Sequence, residues 1–265
     1  MRAAHSPVVR RLSGTLGGKH VAQTHFQYTI ALLCQYSAAA LENAGELLEE
    51  AGLLLAGGHR ARAYFLAVAG IEEIGKAVLA FDGQGRNLKD SRVTAKLRRA
   101  MEDHSQKVTA AFTPILLASP DLRQALMPLV DLMIHVKRGR EPSMYTDINY
   151  ESGKVQQPMA VVRDVAARDC VRLGSDCLRA AKKYVSDKSP LPRSALDDAL
   201  FAMRPEQMNK ILNIEGFWWY YIERMEAGAQ DFAAAVITYQ REYVAKGKTY
   251  RKPAGEGADE YGEAA

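Results

Sequence analysis

The stretch AVAGIEEIGKAV, residues 67–78, decides how this chain folds. From Ala63 to Phe81 the sequence is apolar or small almost without interruption, and only Glu72, Glu73 and Lys76 carry charge. A helix that is apolar on every side is normally buried. Burying charge is costly unless the charges are paired and hydrogen-bonded. At about 100° per residue, Glu72 and Lys76 fall on one face with Phe65, Val68 and Leu79, in the favourable order for an i,i+4 pair. Two readings follow. The pair is a surface salt bridge, worth a few tenths of a kcal/mol, or the three charges form an inward polar cluster that needs partners from other helices.

Working outward, the chain reads as an all-α bundle. Residues 21–56 carry a long helical pattern that stops at Gly57-Gly58. A second helix spans about 60–81 and a third about 91–118, with Pro114 expected to kink or end it. Ser119-Pro120-Asp121 restarts a helix that reaches about 138. Residues 139–158 hold glycine, two prolines and polar turns, and predict a loop or short hairpin. Helix returns at 158–185, SDKSPLP breaks the chain at 186–192, and a short helix and then a long one near 204–245 follow. There is no βαβ alternation, long strand pattern or internal repeat. The expected divisions are a flexible basic leader at 1–20, a helical bundle at 21–186, C-terminal helices packing on it at 187–245 and a disordered tail at 246–265.

Composition narrows the classes. The 265 residues are 48% hydrophobic, 25% charged and 8% aromatic, ordinary for a globular protein with a real core. The three cysteines, Cys34, Cys170 and Cys177, include no CxxC pair, which disfavours a disulfide scaffold or zinc site and suits the reducing cytoplasm. Cys170 and Cys177 share a helix face and are expected in the core. The net charge of +4 lies in the first 41 residues, which hold Arg2, Arg10, Arg11 and Lys19 and no acid; the other 31 cations balance the 31 acids. That start has the composition of a transit peptide, and YTIALLCQYSAAA imitates a signal core, but Gln35, Tyr36 and Ser37 interrupt it and a flexible leader fits better. No run approaches the ~20 apolar residues of a membrane span.

Two further clusters bear chemistry. In RRAMEDHSQK, residues 98–107, His104 and Lys107 share a face at i,i+3, and Arg98 and Arg99 precede them. Histidine titrates near neutrality and can serve as general acid or base, although a solvated charged helix face would look the same. Residues 86–107 hold seven Lys/Arg against three acids, enough to meet a phosphate backbone. In HVKRGREPSMYTDIN, residues 135–149, Lys137, Arg138 and Arg140 lead to Tyr145 and Asp147. Arginine binds phosphate bidentately, tyrosine stacks on bases, and functional residues favour loops on rigid scaffolds. The alternative is a basic helix C-terminus complementing its dipole. His5, His20, His25 and His59 are scattered without metal-ligand spacing. P-loop, GxGxxG and GxSxG motifs are absent. FWWYYIER, 217–224, reads as a packing or partner surface.

These three clusters, in this order, resemble the AbiV-type abortive infection proteins of the HEPN superfamily, from about Asn43 to Lys183. EEIGK is similar to that family's EExGK element, DHSQK to its HxxK element, and VKRGREPSMYTDINYESGKVQQP to the basic stretch, Tyr-x-Asp and proline that close its loop. The resemblance implies a HEPN-like helical bundle with a C-terminal helical extension, often a homodimer, in a cytoplasmic phage-defence system. It covers neither the N-terminal segment nor the chain after about 190. Many HEPN proteins are metal-independent endoribonucleases with an Arg-x4–6-His motif where two bundles meet. This sequence departs from that pattern: five residues after Arg140 stands Tyr145, and Arg98 and His104 match the spacing only within a helix.

The expected function is an abortive infection effector that arrests growth or translation, acting on RNA as a metal-independent endoribonuclease with no cofactor. His104 would carry the proton, Arg138 and Arg140 would hold the phosphate, and Glu72, Glu73 and Lys76 would support them or supply the second proton carrier. Lys107, Tyr145 and Asp147 complete the catalytic candidates, and Arg98, Arg99 and Lys137 those for RNA binding. The alternative is a non-catalytic helical module that recognises a phage or host protein, with a plain scaffold third. A phage-encoded activator protein is an expected partner, and a membrane is not.

Overall fold

The computed structural model describes residues 27–250, and of residues 122–132 the backbone alone. The leader expected at 1–20 and most of the tail expected at 246–265 lie outside the described residues. The fold is all-α. Eleven helices are found among the described residues, with one two-stranded antiparallel hairpin of β1 (Asp147–Asn149) and β2 (Lys154–Gln156).

Helix α1 (Ile30–Ala56) starts where the Thr29 side chain accepts from the Leu32 amide, at 3.1 Å, and stops at Gly57-Gly58. Gly58 turns the chain at φ +80, a conformation that disfavours side chains. Helix α2 (Arg60–Gly83) returns along α1 and is the hub of the bundle, packing on α1, α4 (His104–Ala118), α5 (Leu122–Met144) and α7 (Asp164–Asp187). Its small residues, among them Ala63, Ala67, Gly70, Ala77 and Ala80, let four neighbours approach one axis. The shared core includes Leu48, Ile71, Ile74, Phe112 and the two cysteines Cys170 and Cys177. Burial pushes both thiols up to about 12, so they are packing groups rather than nucleophiles.

Four expectations about helix limits change. The helix expected at 158–185 is two, α6 (Pro158–Val161) and α7, parted at Val162-Arg163. The third predicted helix is two: α3 (Ser91–Glu102) and α4 break at Asp103, whose amide closes α3 on the Arg99 carbonyl while its carboxylate accepts from the Gln106 amide. An N-cap aspartate restarts a helix more strongly than continuity of pattern would suggest, and Pro114 is carried inside α4. Helix α5 continues six residues beyond the predicted end, to Met144, so Arg138 and Arg140 stand on a helix and not in a loop. The hairpin then takes the polar turns that follow. Residues 204–245 hold no single long helix but α9 (Pro205–Leu212), α10 (Glu215–Glu226), α11 (Phe232–Tyr239) and a π-helical turn at Gln240–Val244. Gly228, at φ +86, separates α10 from α11.

The C-terminal helices, with α8 (Ala195–Ala202), enclose a separate core of Ile211, Phe217, Tyr220, Val236 and Tyr239. They are tied to the bundle by Asp198. Its buried carboxylate accepts from Arg86 Nη1 at 3.0 Å and from the Asn87 amide at 2.8 Å, and the Arg86 guanidinium lies 3.7 Å from the Phe201 ring centroid. Removing one partner of a buried ion pair strands the other. Asp198→Ala is therefore expected to cost about 3 kcal/mol and to expose the 188–194 segment to protease, read by the unfolding midpoint and by limited proteolysis.

Candidate functional site

The opening question, why an apolar helix keeps three charges, has a geometric answer. Glu72 faces inward and is buried, at 6% exposure. Its carboxylate takes three partners, two of them cations, from two other helices. Lys107 Nζ donates to Oε2 at 2.7 Å, and the His104 ring meets it through Nδ1 at 2.9 Å. Arg140 Nε reaches Oε1 at 3.0 Å. The i,i+4 pair expected between Glu72 and Lys76 does not form. Lys76 pairs instead with Glu73, at 2.5 Å, on the more exposed side of α2. Three partners from elsewhere saturate Glu72, so it is the inward charge, and the bridge expected between Glu72 and Lys76 is replaced by a partly buried one between Glu73 and Lys76.

Local sequence puts each partner in place. Asp103 caps α4, which fixes His104 and Lys107 in its first turns, one above the other at i,i+3. The positive end of the α4 dipole favours the carboxylate beside it. On α5, Val136, Arg140 and Ser143 recur at i,i+4,i+7, the spacing of an inward face; Val136 and Ser143 are buried, and Arg140 lies 5.7 Å from the Phe65 ring centroid. Gly75 lets α2 and α4 come close enough. A Cβ there would sit 1.9 Å from the Lys107 carbonyl oxygen. The sequence reading left this glycine without a role. Its signal was a glycine in mid-helix, which needs a packing reason.

Electrostatics follow from this packing. Burial by itself would raise the Glu72 carboxyl, but the hydrogen bonds and charges of Lys107 and His104 outweigh it and hold the group below its ordinary 4.5. Glu72 is thus an acceptor-only carboxylate, so the His104 ring donates to it through Nδ1–H and turns Nε2 away from it. The His104 side chain is 57% exposed, so this second nitrogen is available to a ligand. The other candidates stand apart from the carboxylate. Lys137 Nζ donates to Thr109 on α4 at 3.2 Å. Arg138, two residues from Arg140 and so about 200° round the helix, lines a different cavity of about 410 Å³ with Tyr64 and His135. Tyr145 and Asp147 are exposed beside the hairpin, the latter accepting from the Ile148 amide. Arg98 pairs with Glu102 on the surface of α3, and Arg99 faces the C-terminal helices. Beside the network a cavity of about 770 Å³ is lined by Lys76, Lys107, Tyr28, Tyr36 and Arg98.

Among the described residues no group of three or more His, Cys, Asp or Glu is placed to hold a metal ion, and no helix is long and apolar enough to cross a membrane.

Comparison with known proteins adds the lineage. The family model for AbiV, HEPN_AbiV, matches residues 32–179, more than half of the chain and all of the Glu72 network. No curated protein and no solved structure matches. The chain belongs to the AbiV family of HEPN proteins.

Two outcomes test the geometry. Gly75→Ala forces α4 away from α2 and is expected to lower stability by about 3 kcal/mol, as overpacking against backbone does; chemical denaturation measures it. The depressed Glu72 carboxyl stabilises the fold above pH 4.5, and that contribution is lost as pH falls through the lower folded value. The stability gap between wild type and Glu72→Gln should therefore be full at neutral pH and shrink in the acid range below 4.5, as read by urea midpoints against pH.

Proposed function

We propose that this AbiV-family protein is an abortive infection effector of phage defence that cleaves RNA without a metal ion. One observation carries the reading: the buried, ionised Glu72 orients an accessible histidine and an arginine on the same carboxylate. A carboxylate that fixes the tautomer and orientation of a general base is the arrangement found in hydrolytic triads. A substrate ribose 2′-OH gives its proton to His104 Nε2. The 2′-oxygen bonds to phosphorus, the P–O5′ bond breaks, and the departing 5′-oxygen takes up a proton, leaving a 2′,3′-cyclic phosphate and a 5′-hydroxyl end. Arg140 offers its remaining N–H groups to the phosphate. Lys107 keeps Glu72 ionised and is a positioning residue. The second proton carrier is a second His104 from another copy of the chain, so the active form is a homodimer. Lys137, Arg99 and Arg98 are exposed or half-exposed cations that add affinity for the strand, while Arg138, Tyr145, Asp147, Glu73 and Lys76 lie at its margins. A phage-encoded protein supplies the trigger, and the protein acts in the cytoplasm.

A second reading has its own observation. Trp218, Ile222 and Met225 recur at i,i+4,i+7 on α10 and stay 43%, 37% and 41% exposed. Such a stripe suits a protein partner, and would make the chain a recognition module.

Total cellular RNA incubated with the purified protein in EDTA separates the two. Under the ribonuclease reading the wild type yields 2′,3′-cyclic ends, His104→Ala loses at least about 100-fold in rate, and Arg140→Ala about 10- to 100-fold. No cleavage by the wild type, even with lysate from phage-infected cells, together with loss of phage protection in Trp218→Ala, would establish the recognition module instead.

A further inference from the structure

Helices α5 and α7 both pack on α2, and a cavity of about 410 Å³ opens between them, with α6 and the Val162-Arg163 link along its edge. That volume lies within the range of small-molecule sites. The wall is largely apolar: Val136 of α5, Val162, and Val165, Ala166 and Leu173 of α7 line it. Tyr64 of α2 is the buried polar group among them, and its hydroxyl already donates to the His135 carbonyl at 3.1 Å. Val161 and Val165, 39% and 48% exposed, mark the open side.

Charge refines the chemistry. Arg138 of α5 and Arg163 before α7 line the same cavity, and neither makes an ion pair among the described residues. Their neighbours are neutralised locally, Arg168 by Asp164 and Arg172 by Asp169. Two free guanidiniums beside an apolar wall suit an anion with an apolar body. Asp169 also lines the cavity, its carboxylate held by Arg172 Nη2 at 3.1 Å, and its negative charge disfavours an anion of several charges. A polyphosphate is thus a poor occupant and a singly charged carboxylate a good one, since guanidinium groups bind carboxylates through paired, charge-assisted hydrogen bonds.

We propose that the cavity between α5 and α7 binds an apolar monocarboxylic acid, with its carboxylate on Arg138 and Arg163 and its hydrocarbon body on the Val136–Val162–Leu173 wall. The ligand braces α5 against α7. Helix α5 also carries Arg140 to Glu72, so the cavity and the carboxylate network share one helix. The inference stands on the cavity and is independent of ribonuclease activity.

Isothermal titration of the full chain with decanoate and, separately, with naphthoate tests it, the two probes distinguishing a chain from a flat ring. Saturable binding of at least one acid, at a single site, is expected below about 1 mM. The alcohol of the same body, decanol or naphthylmethanol, should bind at least about tenfold more weakly, and acetate, which has the charge without the body, should not saturate. Arg138→Ala/Arg163→Ala should weaken the acid at least about tenfold and leave the alcohol unchanged, whereas Val165→Trp, which fills the mouth, should weaken both. All three positions are exposed, and unchanged circular dichroism would certify the fold. No saturable binding of either acid would overturn the inference, as would equal affinity for acid and alcohol or equal affinity in the double arginine variant. Displacement of the acid by a lower concentration of an oligoribonucleotide would also overturn it, and would make the two arginines part of a strand groove.

Discussion

A single buried carboxylate organises this protein. Glu72 lies in the most enclosed helix of the bundle, where an unpaired charge would be prohibitively costly. Its partners come from α4 and α5, so the helices must be brought together in one register for the charge to be satisfied. Lys107, itself buried at 5% exposure, has the same requirement in reverse. Neither can be buried without the other, and Gly75 makes the approach possible by leaving room for the Lys107 backbone. Networks of this kind specify one arrangement of helices more than they add stability, because the desolvation of each ion offsets much of the attraction. Here the arrangement specified is also the one that leaves His104 at the surface with its Nδ1 held on Glu72.

The same economy explains what lies around the network. The apolar core of Leu48, Ile71, Ile74 and Phe112 carries the bundle by burial. The polar cluster sits at its edge, where α2, α4 and α5 meet, and one member of the network, His104, is open to solvent. A site built on three helices of the rigid scaffold holds its geometry better than one on a loop. The C-terminal helices have their own aromatic core and reach the bundle through Asp198, Arg86 and Phe201. They face α3 on the side that carries Arg99.

Much of this was legible in the sequence and some was not, for physical reasons. The all-α class, the α1–α2 turn at Gly57-Gly58 and the burial of Cys170 and Cys177 follow from periodicity and breakers. The oddity of charge in AVAGIEEIGKAV pointed to Glu72, and His104 and Lys107 were found by their i,i+3 spacing. The partner of Lys76 was misassigned because spacing alone cannot tell that Glu72 is already occupied from across the bundle. Arg140 was expected in a loop because Gly139 and Pro142 look like breakers. Gly139 instead lies against the Tyr64 ring, where a Cβ would sit 2.2 Å from the hydroxyl oxygen, and is there for close packing. The break at Asp103 was hidden because a cap that ends one helix and starts the next leaves the hydrophobic pattern intact. The cavity lined by Tyr64, Arg138 and Arg163 joins residues from three distant parts of the chain, and no local pattern encodes it.

The claim at the centre is that Glu72 and Lys107 satisfy each other inside the bundle. A thermodynamic double-mutant cycle with Glu72→Gln and Lys107→Met, measured by urea unfolding at pH 7, tests it most directly. The account predicts a coupling energy of about 2 kcal/mol or more, with the double variant at least as stable as Glu72→Gln alone, because removing both charges leaves neither stranded. Additivity of the two single losses within about 0.5 kcal/mol would contradict it, and would mean that the two charges are satisfied independently.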